Sequence, residues 1–260
     1  MGINEVSLIE YFYISVMAKF LDVFRRKILS YTNLHYDFSC LQNMKHPQPL
    51  TRVPSLSFLF TLMAAQETNE KSVSKTGVRD ENIFYVLNPD KNLHKTQQRL
   101  EVPFQNMNLG TGIIGKQPSL PQMEKVLSNM DAMVYCGHGN MKSMPSMSKI
   151  EKMNIRAVPL LLGCNTGKLS KEGRNLDPLG TATSYLIATA PCVLGFLWSI
   201  TDKDVDPWTV KFLNHWLGKD SGPHEKNFVQ AVANRRKEFN RVINSAAMVI
   251  YGLPNGARYI

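Results

Sequence analysis

Ala132-Met133-Val134-Tyr135-Cys136-Gly137-His138-Gly139 and Ala157-Val158-Pro159-Leu160-Leu161-Leu162-Gly163-Cys164 are the two stretches whose reading decides the fold. Each is an apolar run that ends in a small residue and is followed by a reactive side chain. Neither run alternates with polar residues, and both are too short for a buried helix. They read as strands buried on both faces, the pattern of a parallel sheet. Working outward, Ile83 to Leu87 is a third such run, closed by the turn signal Asn88-Pro89-Asp90, and Pro191 to Trp198 is a fourth. Ser119 to Asn129 reads as a helix with Ser119 as its N-cap. Further helices are expected over residues 173–188, 203–217 and 224–241. Short strands separated by helices predict an α/β fold with a largely parallel sheet.

The N-terminal part is less regular. Residues 3–29 read as a helix that is apolar on most of its faces, and 30–54 as loop with Pro47, Pro49 and Pro54. The apolar run from Leu56 to Ala65 follows, and Gln66 to Glu81 is expected as a surface loop. The apolar stretch from Val6 to Phe24 contains Glu10, Lys19 and Asp22, which fits neither a signal peptide nor a membrane span. Val6 stands where a myristoylation motif needs Ser or Thr.

The chain has 260 residues, 43% apolar and 20% charged, which is the composition of a globular protein rather than a disordered one. Its formal charge of +9 comes from basic residues spread along the chain. Without a basic stripe there is no footprint for specific nucleic-acid binding. Four scattered cysteines (Cys40, Cys136, Cys164 and Cys192) are too few for a disulfide framework and suit a reducing compartment.

In open α/β sheets functional groups gather beyond the carboxyl ends of the strands. Neighbouring strands would therefore bring His138 and Cys164 together at one edge. An imidazole beside a thiol raises the thiolate fraction and can afterwards protonate a leaving amine. The N–H groups of Gly139 and Cys164 are candidates for an oxyanion hole. A bland reading of the same residues is a small buried cysteine and a tight glycine turn. A zinc set of Cys136, His138, Cys164 and Cys192 lacks the close spacings of structural zinc sites, and no cofactor is implied.

The order Tyr135-Cys136-Gly137-His138-Gly139, then Leu161-Leu162-Gly163-Cys164-Asn165-Thr166-Gly167, then Val193 to Asp206 resembles the catalytic region of separase (separin), that is, its C-terminal caspase-like protease domain. Arg52 to Phe58, Tyr85 to Asp90 with Lys95 to Arg99, Gly112 to Ser119, Ala231 to Arg236 and Ala246 to Pro254 fit the same family in order. The resemblance implies a caspase-like α/β sandwich over residues 47–260, preceded by an unmatched helical segment and loop over 1–46. It implies a thiol protease with His138 and Cys164 as catalytic dyad and cleavage after arginine. The substrate it implies is the kleisin subunit of cohesin, cut to release sister chromatids at anaphase. It also implies a securin-like inhibitor, a location in cytoplasm and nucleus, and no membrane partner. A separate helical regulatory chain is compatible with it. An arginine pocket needs a carboxylate; Asp202 and Asp204 are assigned to it, and Asp206 to the first turn of the following helix. After His138-Gly139 the family continues with a small residue, a glycine and a nearby tyrosine, where this chain has Asn140, Met141 and Met144. Two other readings stay open on these residues: a non-catalytic relative that binds separase partners, and a caspase-like protease outside the separase group.

Overall fold

The computed structural model describes residues 49–139, 142, 144–170, 179–218 and 227–253. The helix expected over 3–29 lies outside them, as do the expected helical stretches 173–178 and 224–226. Six strands form one sheet: β1 (Ile83–Leu87), β2 (Thr111–Ile114), β3 (Ala132–Cys136), β4 (Val158–Leu161), β5 (Cys192–Phe196) and β6 (Met248–Gly252). Their order is β2-β1-β3-β4-β5-β6, parallel throughout except for β6, which runs antiparallel to β5. Every residue of β1, β3, β4, β5 and β6 is buried, as their uninterrupted apolar composition requires.

The helices are α1 (Leu56–Thr68), α2 (Val73–Thr76), α3 (His94–Asn106), α4 (Leu120–Asn129), α5 (Met147–Ile150), α6 (Thr181–Ile187), α7 (Asp202–Leu217), α8 (Phe228–Arg235) and α9 (Val242–Ala247). They cover both faces of the sheet. The period of two along each strand sorts its side chains between two cores. Ile83, Tyr85 and Leu87 join Val134, Leu160, Leu194 and Phe196 against Leu100 and Phe104 of α3, Trp208, Phe212 and Trp216 of α7, and Phe228 of α8. Phe84, Val86, Met133, Tyr135, Leu161 and Val193 face the other way, against Leu62 of α1, Met123 and Leu127 of α4, and Tyr185 of α6. On the first face Trp208, Phe212 and Trp216 stack in sequence along α7, with ring centroids 4.8 and 5.6 Å apart.

Ser119 caps α4 as the sequence predicts, its hydroxyl accepting from the N–H of Gln122 at 3.3 Å. The stretch Gln66 to Glu81 differs from its expected surface loop. Gln66 is buried and donates through Nε2 to the Thr189 carbonyl at 2.6 Å, while Ser72, Val73 and Val78 are buried too. Among the described residues no helix is long and apolar enough to cross a membrane.

Candidate active site

β3 and β4 are hydrogen-bonded neighbours, with Tyr135 level with Leu161. The chain leaving each strand therefore emerges at the same sheet edge, and His138 and Cys164 both line one narrow cavity of about 30 Å³ there. The two loops touch backbone to backbone. A Cβ built on Gly139 would lie 1.5 Å from the Cys164 carbonyl oxygen, and one on Gly163 would lie 3.0 Å from the Gly139 nitrogen. Only glycine allows this approach, after His138 at Gly139 and before Cys164 at Gly163.

Cys164 sits on a turn held from several sides. Asn165 adopts a left-handed φ of 60°, and the Thr166 hydroxyl donates to the carbonyls of Leu161 and Gly163 at 2.7 and 2.8 Å. The same hydroxyl accepts from the N–H of Phe196 at 3.2 Å, tying the turn to β5. The thiol is free and partly exposed. Its Sγ lies 3.5 Å from both the N–H and the carbonyl of Ile200, so an N–H donor already faces the sulfur. Cys136, at the floor of the cavity, is a different kind of thiol: burial pushes it far above its ordinary range, and the Asp206 charge adds to this.

His138 is exposed. Its backbone carbonyl accepts from the Tyr135 hydroxyl at 3.0 Å, and its Nε2 lies 3.0 Å from Oδ1 of Asn92. Asn92 belongs to the segment between β1 and α3, just past the turn signal Asn88-Pro89-Asp90, and was not singled out in the sequence.

The three aspartates separate. Asp202 and Asp206 line the cavity; Asp204 does not. Asp204, assigned from sequence to the arginine pocket, is turned inward, where it accepts from Thr201 and Asn240 at 3.1 Å each and from Asn244. Burial raises its carboxyl, but those bonds and the nearby Arg241 outweigh burial and hold it below the usual carboxylate range. Its role is to anchor the start of α7 to the segment around α9. Asp206, expected only as a first-turn residue, is instead 3% exposed in the cavity wall and is bonded by Nη1 of Arg99 at 2.5 Å. The reason is helical geometry: α7 begins at Asp202, so 202 and 206 share a face, while 204 points to the opposite side. Burial pushes the Asp206 carboxyl above its usual range; Arg99 opposes this, and the charge of Asp202 adds to it.

Met144 does not enter the cleft. It is 8% exposed and packs in the opposite core with Met133, Tyr135 and Leu127. Asn140 and Met141 lie outside the described residues. Among the described residues no cluster of His, Cys, Asp and Glu could hold a metal ion.

A largely parallel sheet carrying a histidine and a cysteine at adjoining strand ends defines the caspase-like class of α/β domain. Residues 37–205 match the family model of the separin protease domain. The chain is 37% identical to mouse (Mus musculus) separin over 207 residues and 34% identical to separin of Schizosaccharomyces pombe over 212, covering 80% of this chain in each case. It belongs to the separin protease-domain family. The crystal structure of the Saccharomyces cerevisiae separase–securin complex at 3.0 Å resolution superposes with a TM-score of 0.68 at 30% identity, over 80% of this chain and 14% of that one. A further solved structure, of a protease, shares the fold with a TM-score of 0.58 at 11% identity, over 81% of this chain and 55% of that one. The chain spans 10% and 11% of the length of the mouse and fission-yeast separins.

Proposed function

We propose that this chain acts as a separase-type cysteine endopeptidase that cleaves after arginine. The observation that carries the reading is that Cys164 and His138 line one cavity whose wall also holds the buried carboxylate of Asp206. In the reaction the Cys164 thiolate attacks the carbonyl carbon of the scissile bond. The resulting oxyanion is received by the N–H groups of Gly139 and Cys164, each worth about 3 kcal/mol of transition-state stabilisation. His138 gives its proton to the leaving amine as the thioester forms, then takes one from the water that hydrolyses it.

Arginine suits the cavity because of the state of Asp206. Its ionised form is penalised by burial and only partly compensated by Arg99, so a second guanidinium would stabilise it further. Asp202, exposed at the mouth, adds a steering charge. The substrate is the kleisin subunit of cohesin and the inhibitor a securin-like chain, on the strength of family membership and of the securin bound to the yeast relative. The dyad favours this reading over a non-catalytic relative.

Asp206→Asn is expected to lower kcat/KM for a peptide cut after arginine by about 10²-fold, and to leave cleavage after an uncharged residue nearly unchanged. Parallel assays of two peptides that differ only at that residue read the effect. Equal losses on both peptides would remove Asp206 from the pocket. A preference for lysine or acidic residues in the parent chain would point to a caspase-like protease of another group.

A further inference from the structure

The segment between β1 and α3 is built with more care than a connecting turn needs. Asn88 is 1% exposed and left-handed, with a φ of 51°. Its N–H donates to the Cys136 carbonyl at 2.9 Å, which fastens the segment to the end of β3 just before His138. Its side-chain Oδ1 accepts from the N–H of Leu93 at 2.8 Å, and its Nδ2 donates to Oε1 of Gln97 on α3 at 2.9 Å. Gln97 in turn donates to Glu101 at 3.1 Å. One buried carboxamide thus fixes both ends of a short arc, and Asn92 stands on that arc with its Oδ1 3.0 Å from Nε2 of His138.

We infer that Asn92 is the positioning residue of the His138 imidazole, which orients the ring and fixes its tautomer for proton transfer at Cys164. An amide oxygen accepts, so Nε2 carries the hydrogen and the lone pair belongs to Nδ1, the nitrogen left to serve the thiol. A neutral amide does this without adding charge. That matters here because Asp202 and Asp206 already line the same cavity as His138, together with the thiols of Cys136 and Cys164. A third carboxylate would hold the proton on the ring more firmly than its delivery to a leaving amine requires. The inference rests on the proposed dyad of His138 and Cys164 and assigns it a third member from a separate segment of chain.

The test compares the parent chain with Asn92→Leu, which keeps the size and removes the acceptor, and Asn92→Asp, which keeps the acceptor and adds a charge. Two readouts are taken on each. One is the rate at which iodoacetamide alkylates Cys164 at pH 6, which needs the imidazolium beside the sulfur but not peptide cleavage. The other is kcat and KM on an arginyl peptide across pH. Asn92→Leu is expected to lose about tenfold in pH 6 alkylation and about tenfold in kcat, with KM and melting temperature unchanged. Asn92→Asp is expected to restore most of the pH 6 alkylation and only part of kcat, with the alkaline limb of the kcat profile moved to higher pH. If the parent shows the alkylation pattern but cuts no peptide, the positioning role stands and the proteolytic reading falls. If the parent cuts and Asn92→Leu matches it in both readouts, the positioning role is overturned while the proteolytic reading stands. Equal losses in Leu and Asp variants, or a parent thiol unreactive at pH 6, also overturn it.

Discussion

Gly139→Ala is expected to reduce cleavage by about 10²-fold or more while leaving a cooperatively folded domain. The methyl group would sit 1.5 Å from the Cys164 carbonyl oxygen and 2.8 Å from its nitrogen. Both neighbours are backbone, so no side chain can swing aside to make room. The His138 loop and the Cys164 turn must separate by more than an ångström, and misplacement on that scale costs about 10²-fold in rate. The turn resists from its own side, since Thr166 ties it to Leu161, Gly163 and Phe196. The damage therefore falls on the distance between the reacting groups rather than on the core. Steady-state kinetics beside a thermal melt separates the two. A variant that kept more than half of the parent rate would mean that the loops do not meet as closely as described.

Asp131→Ala is expected to cost about 3 kcal/mol of stability, because it removes the fully buried carboxylate that the Arg79 and Arg156 guanidiniums share. Asp131 lies at the opposite end of the sheet from the cavity and is fully buried. It accepts from the backbone N–H and Nε of Arg79 at 3.1 Å each, from Asn82 Nδ2 at 2.8 Å, and from the Arg156 guanidinium. Its own backbone takes part in the sheet, with its N–H donating to Asn82 and its carbonyl accepting from Val158, both at 2.9 Å. Truncation leaves the mostly buried Arg156 guanidinium without its carboxylate at a junction of β1, β3 and β4, while the half-exposed Arg79 keeps water and Glu81. For a domain of this size the melting temperature should fall by about 10 °C. Asp131→Asn, which keeps acceptor capacity, should fall by less. Equal stability of Asp131→Ala and parent in urea would show that water reaches the cluster and satisfies it.

Much of this was legible in the sequence, and the omissions have physical reasons. Four strands could be read because their residues are buried on both faces and so carry no polar interruption. β2 was not read: its burial is partial, it holds a glycine, and it lies at the sheet edge where composition is little constrained. α3 was hidden because it carries Pro103 and mostly polar residues, with only Thr96, Leu100 and Phe104 buried. Yet α3 supplies Thr96 to the cavity wall and Arg99 to Asp206. The proposed dyad residues stand out in the sequence because glycine, strand end and reactive group follow one another along the chain. Asp206 was not read as a cavity residue for want of one residue of helix boundary. With α7 starting at Asp202, positions 202 and 206 fall on one face and 204 on the other, whereas a helix begun a residue later leaves Asp202 outside it and this pairing unseen. Asn92 could not be found from spacing at all, since its relation to His138 spans 46 positions and exists only after β1 and β3 have paired.

The proposed nucleophile is Cys164, presented with an arginine side chain from a peptide. The most direct measurement of that role uses a peptide ending in an arginyl electrophilic ketone, with mass spectrometry to find where it attaches. The prediction is one adduct, on Cys164, formed many times faster than with the matching alanyl ketone and slowed by His138→Ala. An adduct on Cys136, an equal rate with the alanyl reagent, or no adduct on Cys164 would rule out that role for Cys164.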